Sequence, residues 1–311
     1  MGKHNEEHQS KFNSKNPLKI GYFADGKWAH EAFKLLIKDD SIAIQFICLR
    51  HDTQDKILEH LAKQHKIDCF IHRDVNSFEF IEKIKPYKCD LFVSMSFNQI
   101  FKSEIINLPE IKTINCHAGK LPFYRGRNVL NWVLINGEKE FGITVHYVDD
   151  GIDTGDIILQ RTYSITDEDN YQTLLEKAYV GCAEVLHEAV KLLQVGKVES
   201  IKQADIHPVG FYCPQRKDGD EIIDWNQTSH EIFNFVRAIC KPGPMARSFI
   251  NGKEIKINKV KIIPEYPVYK SILGVVVGID KEGFLVKTKE SVIKISEWEY
   301  DGKIKIGDRL K

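Results

Sequence analysis

The chain of 311 residues lacks three things: a long apolar run, an excess of charge of one sign, and a paired cysteine motif. No stretch approaches the roughly 20 apolar residues of a membrane-spanning helix, so we expect a cytoplasmic protein without a membrane partner. The 44 Lys and Arg residues equal the 44 Asp and Glu residues, so no overall charge attracts nucleic acid. The seven cysteines lack the C-x-x-C spacing of zinc and redox sites. We therefore expect free thiols in a reducing compartment, and no metal.

The length exceeds the common single-domain size of about 100–200 residues and indicates two domains. Residues 1–17 are polar and predict a disordered leader. A first domain is predicted over residues 18–196, where short apolar strands alternate with amphipathic helices. A polar linker over 197–224 then leads to a second domain over 225–311.

The strand and helix alternation after Leu18 predicts an α/β fold, a Rossmann-like unit with a mostly parallel sheet. The turn after the first strand reads GYFADGKWA and lacks the G-x-G-x-x-G motif, which argues against a nicotinamide cofactor. From Arg247 onward, short strands separated by NG, DKEG and DG turns predict a small β-barrel of about 60 residues.

Two glycine-rich loops follow predicted strands and carry the residues best suited to chemistry. Asn115 and His117 lie two residues apart at a strand end, and Asp153 lies in the loop DDGIDTGD. An amide and a protonated imidazole can donate to the oxyanion of an acyl-transfer intermediate. Histidine can also take a proton near neutral pH, and a carboxylate beside it would orient the ring. We therefore expect these three residues to serve acyl transfer to an amine.

Other interpretations of the same region are weaker. Spacing alone gives this trio little support among twelve histidines, and His146 in the neighbouring strand is interpreted as a structural residue. Cys116 could act as a nucleophile, but it has no motif of its own. The sequence also lacks H-x-x-H spacing, so a metal site is not indicated.

The segments INCHAGKLPFYRGRN and HYVDDGIDTGDII decide between these interpretations, because together they resemble the folate-dependent formyltransferase family. That family has an Asn-x-His, a Leu-Pro-x-Tyr-Arg-Gly loop and, some 35 residues later, an Asp-x-Gly-x-Asp-x-Gly-Asp/Glu segment. The resemblance implies direct formyl transfer from N10-formyltetrahydrofolate, with Asn115, His117 and Asp153 in the catalytic places. It also implies that the second domain is an OB-like barrel, because IIDWNQTSHEIFNFVRA and PGPMARSFINGKEIKI are similar to that family's carboxyl domain.

The family's pteridine pocket is formed largely by backbone at a strand end and by the acidic loop. The matching residues here are Ser94, Met95, Ser96, Phe97, Asn98, Val148, Asp149, Asp150, Gly151 and Ile152. Candidate acceptor-binding residues occupy the loop after His117. They are Lys120, Tyr124, Arg125, Gly126, Arg127 and Asn128, among which the basic side chains suit a diphosphate.

Two features of the resemblance favour a nucleotide sugar as acceptor. The tRNA formyltransferases carry a longer basic insertion after the second strand, where this chain has only LRHDTQDKILEHL. They also continue Ala-Ala-Pro-Ile after the Arg-Gly, whereas this chain continues Arg-Asn-Val-Leu-Asn-Trp. We therefore expect a UDP- or dTDP-linked 4-amino-4,6-dideoxy sugar as acceptor. GYFADGKWAHEAF resembles formyltransferases of the pseudaminic-acid type and the formylation domain of linear gramicidin synthetase, which makes a pseudaminic-acid-pathway sugar the first specific expectation.

Three alternatives stay open. Methionyl-tRNA formyltransferase is the second interpretation, and glycinamide ribonucleotide formyltransferase fits less well because it lacks the second domain. An OB-like barrel could instead bind nucleic acid beside an inactive Rossmann unit. The sequence leaves open whether the protein forms a homodimer.

Overall fold

The structure is a computed structural model that describes residues 12–13 and 15–311. Most of the predicted leader, residues 1–17, lies outside the described residues. The chain divides into two compact units that alternate along the sequence. The first comprises Met1–Gly126, Gly142–Thr162 and Lys177–Tyr212, and the second comprises Arg127–Phe141, Tyr163–Glu176 and Cys213–Lys311. The predicted domain boundaries after residues 196 and 224 stay a prediction.

A seven-stranded sheet carries the candidate site. In spatial order its strands are β3 (Asp68–Ile71), β2 (Ile42–Leu49), β1 (Leu18–Ala24), β4 (Leu91–Met95), β5 (Thr113–His117), β7 (Glu140–Tyr147) and β8 (Ile157–Ser164). The pairs from β3 to β5 are parallel, and β7 is antiparallel to β5. This arrangement confirms the predicted Rossmann-like, mostly parallel sheet. It was visible in the sequence because crossover helices separate the parallel strands.

Two of the helices that accompany this sheet begin at polar caps. Asp55 accepts hydrogen bonds from the amides of Ile57 and Leu58, and Ser77 accepts one from the amide of Phe80. The longest of the helices beside the sheet has 24 residues and extends from Tyr171 to Gln194. The helices are α1 (Gly26–Leu36), α2 (Lys56–Gln64), α3 (Phe78–Ile84), α4 (Ser103–Ile106), α6 (Tyr171–Gln194) and α7 (Gln203–Ile206).

An aromatic cluster fills the core beside β1, β2 and β4. Phe23 is fully buried at its centre, and its ring centroid lies 5.0–6.3 Å from those of five other phenylalanines: Phe46, Phe80, Phe92, Phe97 and Phe101. All five pairs have the edge-to-face geometry that aromatic rings favour. The cluster fixes the carboxyl ends of β1 and β4 against the adjoining loops.

The second unit contains an antiparallel sheet with the strand order β10 (Ala246–Ile250), β11 (Lys253–Ile262), β14 (Val292–Glu299), β13 (Gly283–Lys287) and β12 (Val276–Asp280). Helices α5 (Val129–Ile135) and α8 (Ser229–Ile239) belong to the same unit. Thr228 and Glu231 form the capping box at the start of α8. The sheet confirms a small barrel-like domain, and its OB topology stays a prediction.

Three short elements lie in or beside loops and were not predicted: α7, β6 (Arg125–Gly126) and β9 (Tyr212–Cys213), the last two of which pair. Across residues 12–13 and 15–311, none of the helices combines the length and apolar character needed to cross a bilayer. All seven cysteines are free thiols, as expected.

The aromatic cluster makes a stability prediction. Phe23→Ala should lower the free energy of unfolding by about 3–5 kcal/mol, because it removes a fully buried ring and leaves a cavity. Phe78→Ala is the matched control, since Phe78 is 78% exposed on α3 and should change stability by less than about 0.5 kcal/mol. Urea unfolding followed by circular dichroism measures both. Equal effects of the two substitutions would contradict this account of the core.

Candidate active site

The pairing of β5 with β7 places three polar side chains on one face of the sheet. Asn115 and His117 alternate on β5 and therefore point the same way. His146 on β7 lies directly opposite Asn115, so it shares that face. Cys116 points to the other face, where its thiol contacts the carbonyl oxygen of Cys182 at 3.6 Å. This placement gives no support to Cys116 as a nucleophile beside the other residues.

Asp153 reaches the same group from the loop between β7 and β8. Its Oδ2 lies 3.6 Å from His117 Nδ1, and its Oδ1 lies 3.5 Å from Asn115 Nδ2 and 3.5 Å from His146 Nε2. The structure therefore brings the three predicted residues together and adds His146 to them. These distances exceed those of ordinary hydrogen bonds, about 2.7–3.2 Å, so the side chains are neighbours rather than a tightly bonded chain.

The surroundings of Asp153 favour its ionised form. Burial alone would raise the pKa of Asp153, but the charge of His117, contact with His146 and the Gly126 amide together lower that pKa well below its usual range. The Gly126 N–H donates to Asp153 Oδ2 at 2.9 Å. Asp153 is therefore a carboxylate throughout the neutral pH range, and it can accept or orient a proton held by either imidazole.

The backbone fixes the orientation of the His117 ring. His117 Nε2 lies 2.7 Å from the carbonyl oxygen of Tyr124, which can only accept, so Nε2 carries a proton and donates it. Nδ1 is consequently the ring nitrogen that faces Asp153. Gly119 lies against this hydrogen bond, and a β-carbon there would overlap both the His117 ring and the Tyr124 carbonyl. The loop therefore requires glycine at this position.

His146 also lies in this group, although the sequence indicated only a structural residue there. Its ring is 2% exposed, and Nδ1 donates to the carbonyl oxygen of Tyr147 at 2.7 Å. Nε2 then faces the Asn115 amide at 3.3 Å as well as Asp153. The strand alternation around His146 was visible in the sequence. The register that sets it opposite Asn115 was not, because that pairing joins residues 31 apart.

Four of the predicted acceptor-binding residues lie in the first unit, and three of them help to hold the loop. Tyr124 and Arg125 are each only 7% exposed. The Arg125 guanidinium donates to Gln203 Oε1 through Nε and Nη2 and to the carbonyl oxygen of Val209 through Nη1. Gly126 donates to Asp153, as described above, while Lys120 is exposed. The predicted contacts of these residues with an acceptor stay predictions.

Arg127 and Asn128 belong to the second unit, and both are exposed. Arg127 Nη1 donates to Gln215 Oε1 at 3.3 Å. Asn128 immediately precedes α5, and its side-chain oxygen accepts a hydrogen bond from the Arg216 amide at 2.9 Å. Their predicted contacts with a diphosphate likewise stay predictions.

The strand-end segment of the predicted folate pocket, residues 94–98, adjoins β5. Ser94 pairs with Asn115 and Met95 with Cys116, so this segment lies beside the strand of Asn115 and His117. Ser96 follows in the left-handed backbone region, with φ 58°. The backbone therefore leaves the regular strand conformation after Met95 and is irregular at this end of the sheet.

The acidic-loop segment, residues 148–152, shares a support with the strand-end segment. Phe97 belongs to the aromatic cluster, and Val148 packs against the hydrophobic core that contains this cluster. Asp149 accepts hydrogen bonds from the Gly151 amide at 3.1 Å and from the Thr154 hydroxyl at 2.5 Å. Asp150, Gly151 and Ile152 are exposed. The aromatic cluster therefore holds parts of both predicted pocket segments.

Asn98 has a side-chain acceptor to which no described residue donates. Its Nδ2 donates to Asp52 at 2.9 Å, whereas its Oδ1 is buried and, within residues 12–13 and 15–311, has no hydrogen-bond partner. A buried acceptor of this kind fits a ligand with N–H donors. In the same described part of the chain, no group of three or more His, Cys, Asp or Glu side chains is placed to hold a metal ion.

Comparison with known proteins supports one family. Residues 45–190 match the formyl transferase family, and residues 216–308 match the formyl transferase C-terminal domain. The methionyl-tRNA formyltransferase of Caldanaerobacter subterraneus is 37% identical over 240 residues, 75% of this chain and 74% of that protein. That of Geobacter metallireducens is 34% identical over 243 residues, 78% of this chain and 76% of that protein.

A solved structure shows the same fold. It is the N-formyltransferase from Helicobacter canadensis in complex with folinic acid and dTDP-3-aminofucose. The TM-score is 0.68 at 22% identity, and the likeness covers 90% of this chain and 100% of that one. The two family matches, together with relatives that are 34–37% identical over most of their length, establish that this chain belongs to the formyl transferase family and is a folate-dependent N-formyltransferase.

Proposed function

We propose that this enzyme transfers the formyl group of N10-formyltetrahydrofolate to the amino group of a UDP- or dTDP-linked 4-amino-4,6-dideoxy sugar. The observation that carries the choice of acceptor is the connection between β2 and α2. It is only six residues long, Arg50–Asp55. The resemblance described above associates a longer basic arm at this place with tRNA substrates.

The connection is acidic as well as short, and its one arginine is already paired. Arg50 Nη2 lies 2.8 Å from Asp52, and its Nη1 lies 3.8 Å from Asp25. Thr53 donates to Asp25 at 2.5 Å, and Asp55 caps α2. These contacts hold the connection against the carboxyl end of β1. They leave it poorly suited to bind the phosphates of a tRNA acceptor stem, because lysine and arginine dominate such contacts.

The charge of the carboxyl-terminal third of the chain also favours a nucleotide sugar over tRNA. From residue 201 to 311 there are 19 basic and 15 acidic residues, so the difference is +4. A surface that follows a nucleic-acid backbone usually has a stronger positive excess. A nucleotide sugar needs few basic partners because it presents only one diphosphate.

Methionyl-tRNA is the second candidate acceptor. It is favoured by the relatives that are 34% and 37% identical, both of which carry the name methionyl-tRNA formyltransferase. The sugar candidate is supported by the short acidic connection. The fold neighbour whose structure contains dTDP-3-aminofucose agrees with it through fold alone.

The proposed reaction is a direct acyl transfer. The sugar amine attacks the formyl carbon, so a new C–N bond forms and the formyl oxygen becomes an oxyanion. The Asn115 amide would donate to that oxyanion, because it lies on the same sheet face as His117. His117 would donate through Nδ1 when the ring is protonated, because its Nε2 already donates to the Tyr124 carbonyl. No enzyme nucleophile takes part, and Cys116 faces away from these residues.

The proton of the attacking amine must reach the leaving nitrogen of the folate. We assign His117 as general acid and base, and Asp153 as the carboxylate that orients the ring and relays protons across the 3.6 Å between them. Collapse of the intermediate breaks the bond between the formyl carbon and N10, and N10 takes up the proton. The products are the formamido sugar and tetrahydrofolate, so no oxidant or metal is required.

The donor is assigned to residues Ser94–Asn98 and Val148–Ile152. The pteridine ring carries N–H groups, and Asn98 Oδ1 is a buried acceptor without a partner in the described residues. The irregular backbone at Ser96 would supply further donors and acceptors at the ring edge. Both segments adjoin the strands that carry Asn115 and His146, so a bound formyl group would lie near the amide and imidazole donors.

The choice of acceptor is tested by formyl transfer to UDP- and dTDP-linked 4-amino-4,6-dideoxy sugars and, in parallel, to charged initiator methionyl-tRNA. Mass spectrometry should show one added formyl group on a sugar nucleotide and none on the tRNA. Sugar nucleotides without the amino group are the matched control and should stay unchanged. Formylation of the tRNA alone would contradict the proposal.

The role of Asp153 is tested by Asp153→Asn. The substitution keeps the shape of the side chain but removes its charge, so turnover should fall by about 10²–10⁴-fold while the protein stays folded. Steady-state kinetics and thermal unfolding measure the two effects separately. Undiminished turnover in a folded Asp153→Asn protein would rule out the assigned role.

The contribution of His146 is tested by His146→Phe, which keeps a buried ring but removes both nitrogens. We expect kcat to fall roughly tenfold to hundredfold, because Asn115 and Asp153 would lose a shared neighbour and shift from their working positions. His187→Phe is the control, since His187 lies on α6 away from the site, where it pairs with Asp39. If both variants retain full kcat, His146 has only a structural role.

A further inference from the structure

Gln203 on α7 uses its whole side-chain amide to join two loops of the first unit. The side chain is 3% exposed. Its Oε1 accepts from Arg125 Nε at 3.0 Å and from Arg125 Nη2 at 2.7 Å. Its Nε2 donates to the carbonyl oxygens of Asp153 and Gly155, each at 2.8 Å. A primary amide offers two acceptor sites and two donors, so all four are in use.

These bonds complete a ring of contacts that includes Asp153 of the candidate site. Arg125 is followed by Gly126, whose amide donates to the Asp153 carboxylate at 2.9 Å. Gln203 then links Asp153 back to Arg125. The ring therefore connects the loop that ends at β6 with the acidic loop between β7 and β8, without passing through any surface residue.

The backbone of Asp153 depends on such a support. Its φ is 55°, in the left-handed region that residues with a β-carbon rarely adopt, so neighbouring contacts must hold it there. The bond from Gln203 to the Asp153 carbonyl and the bond from Gly126 to its carboxylate act on the two ends of this residue. Gly155 is equally constrained, because a β-carbon there would overlap the Tyr147 carbonyl oxygen.

We propose that Gln203 is a positioning residue for formyl transfer: it sets the orientation of Asp153 toward His117 and so controls the rate of the chemical step. This rests on the proposed role of Asp153. Gln203 itself touches no reacting atom, and Arg125 serves in the same brace as its partner. Loss of the brace leaves every catalytic side chain in the protein but allows the Asp153 loop to relax.

Two substitutions separate the parts of the brace. Gln203→Leu removes all four hydrogen bonds. Gln203→Glu keeps two acceptor oxygens for Arg125 but has no N–H for the carbonyls of Asp153 and Gly155. In both variants we expect kcat to fall roughly tenfold to hundredfold, as for a small displacement of a catalytic group. The KM values for the formyl donor and acceptor should stay within about threefold, because the substitutions leave the binding segments in place.

Gln194→Leu is the matched control. Gln194 on α6 is 5% exposed, and its amide also donates to backbone, at the carbonyl oxygen of Ser41. It lies outside the candidate site, so its loss should lower thermal stability but leave kcat unchanged. If kcat of the Gln203 variants changes no more than kcat of Gln194→Leu, Gln203 only stabilises the fold.

The double variant Gln203→Leu with Asp153→Asn tests whether Gln203 acts through Asp153. If it does, the double variant should be no slower than Asp153→Asn alone, because the group that Gln203 positions has already lost its charge. All assays use the acceptor that the unmodified enzyme formylates, sugar nucleotide or charged tRNA. The result is therefore independent of the acceptor assignment.

The outcomes are distinct. Full kcat in Gln203→Glu, or equal fold-losses from Gln203→Leu with and without Asp153→Asn, would overturn the positioning role. An unfolded Gln203→Leu protein beside a folded and fully active Gln203→Glu protein would overturn it as well. Full activity of Asp153→Asn would instead refute the catalytic assignment on which the proposal rests.

Discussion

The site depends on one buried carboxylate. Asp153 lies between His117 and His146 and accepts the Gly126 amide, and these contacts lower its pKa well below the usual range although burial opposes this. A buried charge is costly unless it is paired and hydrogen-bonded, so these partners together favour the ionised carboxylate. The same contacts aim it at the imidazole that would carry protons in formyl transfer.

The fold supplies those contacts through ordinary strand geometry. Antiparallel pairing of β5 with β7 sets Asn115 opposite His146 on one face, and alternation adds His117 to them. The hydrophobic core around Phe23 packs against Phe97 and Val148 and so supports the loops to which they belong. Bulk hydrophobic packing thus holds the surrounding segments, while a few polar bonds determine the orientation of the reacting groups.

Much of this could be predicted from the sequence, because local patterns encode it. Strand and helix periodicity predicted the parallel sheet, and the two glycine-rich motifs led to Asn115, His117 and Asp153. The rest depends on contacts between distant residues. His146 acquires its place from strand register, and Gln203 from hydrogen bonds to residues 50 and 78 positions away. The sequence also did not show that Arg125, a candidate acceptor-binding residue, is buried and donates to Gln203. The composition of the sequence also did not predict that the two units alternate along the chain.

The most direct test of this account is a crystal structure of the enzyme with folinic acid and an amino-sugar nucleotide. It should show the formyl group beside Asn115 and His117, with the sugar amine near the formyl carbon and Asp153 in contact with the His117 ring. The pteridine should donate to Asn98. A formyl group bound away from these side chains, or an Asp153 turned from His117 toward solvent, would contradict the account.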